Sequence, residues 1–464
     1  MIDTHVGTWF RTITQLHPLQ IAARLPHRCA QAVVGLTGIA SGGGPGLRPM
    51  ALSTKVGAAL TDFARAESHR YERRIPWLTR NPRLASYEAR YGLAADARGF
   101  PTTDARWCDA TGTEPYVASV RARRLATAIA RGDAGLLPHV VRAARAIFLA
   151  PEIHILGNHL IENGIGLVAA SCVTQGLEAD LWWHLGSAIL SWQLPLQFYS
   201  DGMHDEGSMT YHLALIAGVT EARVLADAAG RAVPPPWMEL VERGVGIALD
   251  YEAPGGLYPL FNDADYDAGP SVAQVVSLAE ACGFHVREAR TEAAFASQVG
   301  WAVLRNARAW CVMKAGPDGS PTQPGHVHAD LLSIELWIDG VKVISDPGVT
   351  SYNDDAERAW CRSSAAHNGP FVNGEDSSEV WGAFRTGRRG RARVLSLESA
   401  PLHAAASRHS SSATVISREI SLSHSSLEIH DCTNGAPLSV ASAFENAIQT
   451  RPSETTCRTR VEWR

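Results

Sequence analysis

Between Gly325 and Asn368 the sequence concentrates residues able to hold a cation or move a proton. The stretch opens Gly325-His326-Val327-His328-Ala329-Asp330 and runs through an apolar segment to Ile344-Ser345-Asp346-Pro347-Gly348. It closes on Ala366-His367-Asn368. Neutral imidazole and carboxylate suit a borderline cation such as zinc. Alternate residues of a strand share a face, so an extended His326, His328 and Asp330 would point the same way. The plain alternative is a set of unrelated polar residues at strand ends. An HxHxD motif followed by two further candidates weighs against it.

Two helical segments carry polar residues that a core helix does not need. LGNHLIENG, residues 156–164, sets Asn158, His159, Glu162 and Asn163 in an otherwise apolar run. Asn158 and Glu162, and likewise His159 and Asn163, are four apart and share a helix face. DGMHDEGSMTYH, residues 201–212, reads as a loop feeding a helix, with Ser208 as the N-cap. Tyr211 is then either an aromatic wedged between helices or a phenol available for chemistry.

The elements that must position these residues change character along the chain. Helical spacing runs from Thr8 to Leu36, and a glycine-rich linker follows from Thr37 to Pro49. Residues 68–116 read as mostly irregular. From Val117 to Asp250 apolar-periodic segments with short breaks predict successive αα-hairpins, an array or toroid. Near Ser297 the period switches to short β-rich runs such as WAVLR and WCVMK, which predict an antiparallel sandwich. The expected domains are therefore 1–297, helical, and 298–464, β. The tail after about Arg451 is polar and patternless, so either the last sheet is incomplete or the end frays. Trp182, Trp183 and Trp192 serve either helix packing or sugar stacking.

A chain of 464 residues carries about two domains. Its net charge of −5 comes without a long basic run, so a nucleic-acid surface is not expected. The one local basic cluster, Arg385 to Arg391, is either a solvated edge or an anion contact. Eight cysteines without a CxxC pair read as free thiols. No secretion signal or membrane-spanning run is seen. The expectation is a cytoplasmic protein, or a periplasmic one if the true start lies upstream.

GNHLIENGIGLVAAS, DGMHDEGSMTYH, GHVHADLLSIELWIDGVKVISDPGVTSYN and RAWCRSSAAHN together resemble the heparinase II/III-like family of polysaccharide lyases. The opening WFRTITQLHPLQIAARL is similar to that family's N-terminal helix. The resemblance implies an incomplete α/α toroid followed by an antiparallel β-sandwich. It also implies β-elimination at a uronic acid, leaving a 4,5-unsaturated uronate. Asn158 would bind the carboxylate, and Tyr211 would be the general acid and, for syn elimination, also the base. His159 matches a base position of alginate-cleaving relatives, and His326 a histidine that faces the substrate. His328, Asp346 and His367 resemble a structural zinc site. The implied partner is an acidic polysaccharide or oligosaccharide, either a glycosaminoglycan, alginate or the cell's own exopolysaccharide. A homodimer stays open. Met209-Thr210 replaces the family's more usual proline, and residues 114–121 keep only part of another block. The alternative is a non-catalytic binding or assembly protein on the same scaffold. A zinc hydrolase of the HxHxD type fits poorly, because Leu331 stands where its next ligand should be.

Overall fold

The computed structural model describes residues 2–37, 45–63, 115–352, 354–434, 437–440, 448–452 and 455–463. Residues 38–44 of the expected Thr37–Pro49 linker and 68–114 of the irregular stretch lie outside these, whereas Gly46–Leu47 of the linker pair as a short strand with Thr174–Gln175. The first helical stretch is two helices, α1 (Ile2–Thr14) and α2 (Pro18–Thr37). Pro18 disfavours helical backbone at the residue before it yet is tolerated in a first turn, so the break falls between them.

From Pro115 on, seven helices of the helical half follow among the described residues. They are α3 (Pro115–Ala130), α4 (Leu137–Leu149), α5 (Gly157–Val173), α6 (Leu177–Gln197), α7 (Met209–Ala228), α8 (Pro235–Asp250) and α9 (Val272–Ala281). The last was not anticipated, although Ser271 and Gln274 form a complete capping box that the sequence spells out. α3, α5 and α7 pack side by side, and each also packs on the helix that follows it. Every residue of α5 except His159 is buried, which is why its sequence is apolar all round. A buried charge network ties this inner row together. Arg123 of α3 lies 3.6 Å from Glu162 of α5 and 3.2 Å from Glu221 of α7, and Arg124 is 2.7 Å from Glu221. Trp182 and Trp183 are buried in this core, which removes them as sugar platforms, whereas Trp192 is exposed. No described helix is long and apolar enough to cross a membrane.

The β half begins with a five-stranded antiparallel meander: β1 (Ala294–Ala296), β2 (Trp301–Arg305), β3 (Ala309–Lys314), β4 (Ile334–Ile338) and β5 (Val341–Ile344). Alternation along these strands sorts their side chains between two cores. Trp301, Val303, Trp310, Val312 and Trp337 pack with the helices. Leu304, Cys311, Met313, Ile334 and Leu336 face the second sheet. A sheet covered on both faces needs unbroken apolar strands, which is how WAVLR and WCVMK read.

A short hairpin, β6 (Val380–Trp381) and β7 (Arg385–Thr386), precedes the second sheet. That sheet comprises β8 (Ala392–Ser399), β9 (Leu402–His409), β10 (Val415–Leu422), β11 (Ser426–Thr433), β12 (Ile448–Pro452) and β13 (Thr456–Glu462), in the order β8-β9-β10-β11-β13-β12. The tail is thus no frayed end: β13 pairs with β11 and β12. Its inward residues are Cys457, Thr459 and Val461, an alternation too mildly apolar to stand out. The described cysteines are free thiols.

Candidate active site and metal centre

The seam between the helical half and the five-stranded sheet gathers most of the residues singled out above. α5 starts from a left-handed turn, with φ 60° at Leu156 and 57° at Gly157. A Cβ at Gly157 would meet Gln323 Cβ at 2.7 Å, so only glycine fits. The turn aims the Asn158 backbone N–H at Glu206 Oε1, 3.1 Å away. Asn158 is buried, and its Oδ1 has no hydrogen-bond partner. Such a group costs free energy unless something binds it.

Glu206 lies in the loop before α7, and its other oxygen, Oε2, is 2.6 Å from His326 Nδ1. One carboxylate therefore joins the carboxylate-binding candidate to the histidine of the β half. His326 is not in a strand. Pro324–His326 form a 3-10 turn, with Pro324 at its start and the Gln323 side chain accepting from the Gly325 N–H at 3.1 Å. The expected common face for His326, His328 and Asp330 is consequently absent. His326 faces the helices, while His328 Nε2 meets Asp263 Oδ1 at 2.7 Å.

Tyr211, in the first turn of α7, lies against His326 with ring centroids 4.5 Å apart. Its hydroxyl is 3.1 Å from that of Tyr352. Burial, and then the neighbouring Tyr352, push the Tyr211 phenol well above its usual value, so it stays protonated. Ser208 occupies the N-cap position of α7 but does not cap, because its hydroxyl donates to the Asp263 carbonyl at 2.7 Å. His159 stands at the edge of this group. Its Nδ1 is 3.2 Å from Glu152 Oε1, and its ring lies 4.5 Å from Tyr116. Asn163 donates to the other Glu152 oxygen at 2.9 Å, so the expected His159 and Asn163 face converges on one carboxylate.

Behind the cleft, donor atoms of Asp330, Asp346 and His367 lie within 4.8 Å of one another. Asp330 already faces the Lys314 ammonium through one oxygen and accepts from the Asn262 N–H through the other at 3.0 Å. His367 Nδ1 is 2.8 Å from Asp346 Oδ2, and its Nε2 is buried without a partner. The His328 ring is 5.5 Å from that of His367, and its Nδ1 is likewise buried and unpartnered. Burial outweighs Asp263 and holds His328 down to about 3, hence neutral. Of the expected zinc set, Asp346 and His367 fall in this cluster and His328 does not, Asp330 taking the third place. The orphaned His328 and His367 nitrogens are still of the donor type that suits zinc.

Arg358, on the short helix α10 (Ala356–Arg362), braces both groups. It is fully buried and pairs with both oxygens of Asp263, Nη2 to Oδ2 at 2.8 Å. Its Nε donates to the Ala383 carbonyl at 2.9 Å. The guanidinium carbon lies 5.3 Å from the Tyr352 ring centre and 5.2 Å from that of Phe384. Glu206, Asp263, Tyr352, Arg358 and Phe384 were not assigned roles from sequence. The available signals were an acidic pair in a glycine-flanked loop and a tyrosine inside the GVTSYN block.

Two family descriptions match the chain, Heparinase II/III N-terminus over residues 133–282 and Heparinase II/III-like, C-terminal over 288–461. The heparin-sulfate lyase of Bacteroides thetaiotaomicron is 24% identical over 282 residues, which are 52% of this chain and 40% of that protein. The heparin-sulfate lyase of Pedobacter heparinus is 26% identical over 253 residues, 48% of this chain and 37% of that one. The chain thus spans about two fifths of the length of the curated relatives it matches. Among solved structures, heparinase III superposes with a TM-score of 0.56 at 16% identity, covering 76% of this chain and 67% of that one. A heparan sulfate lyase mutant from Pedobacter heparinus gives 0.53 at 19%, covering 78% and 59%. At these identities the likeness is one of fold.

Proposed function

Since this chain belongs to the heparinase II/III-like family, we propose that it is a polysaccharide lyase that opens a uronic-acid-containing chain by β-elimination. The observation that carries this reading is Tyr211 against His326, with Glu206 linking that histidine to Asn158. The C5 proton beside a uronate carboxylate is poorly acidic, so charge developing on the carboxyl group must be offset. Asn158, at the start of α5, is the group for that carboxyl through its Nδ2 amide donor. With Nδ1 held on the Glu206 carboxylate, His326 keeps Nε2 as an acceptor for the C5 proton. Tyr211 gives its phenolic proton to O4 as the C4–O4 bond breaks. The electrons of the C5–H bond become the C4=C5 double bond. The Tyr211 phenolate, hydrogen-bonded by Tyr352, then recovers a proton from His326 or water. His159, next to Asn158, is the other base candidate.

The test is incubation of the purified chain with heparan sulfate, alginate, hyaluronan and the host's exopolysaccharide, following the ultraviolet absorbance of unsaturated uronate. A rise on one of these polymers, lost in His326→Ala and kept in His159→Ala, supports the reading. No rise with any polymer moves the assignment to a binding or assembly role.

The metal is part of the same proposal. His328 through Nδ1, His367 through Nε2 and the Asp346 carboxylate would hold a zinc ion. When bound, zinc cross-links the loop that carries His326 to the strand ends and takes no part in the proton transfers. The expected result is about one zinc per chain in the purified protein. Chelation should lower the thermal midpoint by several degrees, and His367→Ala should carry no metal. A metal-free protein whose midpoint ignores chelators would remove the zinc assignment.

A further inference from the structure

Beside the cleft a guanidinium lies against two indoles and, among the described residues, meets no anion. Arg385, in β7, has its guanidinium carbon 4.7 Å from the Trp9 ring centre and 4.8 Å from that of Trp381. Trp9 comes from α1 and Trp381 from β6, and their rings meet edge-on at 5.0 Å. Among the described residues the Arg385 side chain makes no hydrogen bond or ion pair and is exposed, while its carbonyl accepts from Arg362 Nη2 at 3.2 Å. Trp9 is 42% exposed, and Phe384, the residue before Arg385, is 48% exposed. Phe384 is also a wall of the cleft, 6.2 Å from His326 and 6.2 Å from Tyr352, ring to ring. Phe384, an exposed wall of the cleft, thus stands next in sequence to Arg385.

Fastening α1 to the hairpin does not require this charge. Arg11 already pairs with Glu379, Nε to Oε2 at 2.8 Å, and the Trp381 indole N–H donates to Thr12 Oγ1 at 3.0 Å. An apolar side chain would pack against the indoles as well. Contact with the two indoles, which touch each other edge-on, leaves guanidinium N–H groups that match a carboxylate or sulfate in bidentate fashion. An exposed indole next to it offers an apolar face for the C–H side of a sugar ring.

We propose that Arg385, Trp9 and Trp381 form a subsite for an acidic sugar of the polymer chain beyond the residue that reacts. This rests on the lyase reading above. It resolves the Arg385–Arg391 cluster into an anion contact at Arg385, whereas Arg389 braces the fold through the Ser320 carbonyl.

The test uses the full chain carrying Tyr211→Phe, so that ligand is not consumed, with and without Arg385→Gln. Affinities for heparan sulfate and alginate tetrasaccharides and decasaccharides are read by tryptophan fluorescence at low and high salt. Arg385→Gln is expected to weaken decasaccharide binding about tenfold and tetrasaccharide binding much less. It should also flatten the salt dependence, with the thermal midpoint unchanged. Trp9→Phe, which keeps an aromatic on α1, should weaken decasaccharide binding to a smaller degree. Equal decasaccharide affinity with and without Arg385 overturns the subsite and leaves the lyase reading intact. No binding of any oligosaccharide by the Tyr211→Phe chain overturns both. A fall in midpoint that accounts for the lost affinity assigns Arg385 to a structural clasp and overturns the subsite.

Discussion

Replacing Tyr211 with Phe is expected to cut the rate of unsaturated-uronate formation about a thousandfold while the protein stays folded. The substitution removes one oxygen, whose 3.1 Å contact is the Tyr352 hydroxyl, and leaves the ring against His326. Packing is preserved, so the loss falls on proton delivery to O4. The measurement is kcat and KM on the polymer that the wild type cleaves, with the loss expected in kcat. The buried phenol adds a pH signature. Its proton is held well beyond the ordinary phenol value of about 10, so the wild-type rate should not decline for want of this acid as pH rises toward that value. A mutant that retains more than about a tenth of the wild-type rate would assign the acid elsewhere, with Tyr352 first in line.

Arg358→Met is the second large effect, and it is one of stability. The guanidinium compensates Asp263, a fully buried carboxylate that also holds His328. Burial alone would raise that carboxyl, and Arg358 followed by His328 reverses the effect and keeps it ionised. Removing one partner of a buried pair leaves the other charge uncompensated, at about 3–5 kcal/mol. Arg358→Met should therefore lower the unfolding free energy by about that much in urea. Combining it with Asp263→Asn should recover a large share, because the orphaned charge is gone. A single-mutant cost below about 1 kcal/mol would mean that the pair is not what holds this corner.

What the sequence displayed and what it hid divide along a physical line. The strands of the middle sheet were legible because a layer buried on both faces writes itself as unbroken apolar runs, and WAVLR was read with its observed limits. The long helices were legible from their period. His326 and His328 were visible as residue types but not as directions. The Pro324 turn rotates them apart, and that depends on how a proline and the Gln323 side chain close a local ring. Glu206 and Asp263 were silent for another reason. Their partners lie 120 and 65 residues away in sequence, and no local pattern encodes such a meeting. β13 was missed because a cysteine and a threonine do the work of apolar residues on its inner face.

The sharing of one Glu206 carboxylate between the Asn158 backbone and the His326 ring has a consequence for how such clefts diversify. Its two oxygens are fixed rigidly relative to each other, so they act as a gauge between the helical wall and the β wall. A displacement of about 1 Å at such a point suffices to cost about a hundredfold in rate. On the lyase reading, the gap between the two walls is therefore locked against gradual widening. On that reading, accommodation of a bulkier polymer falls outside the gauge, where surfaces can change without altering that spacing.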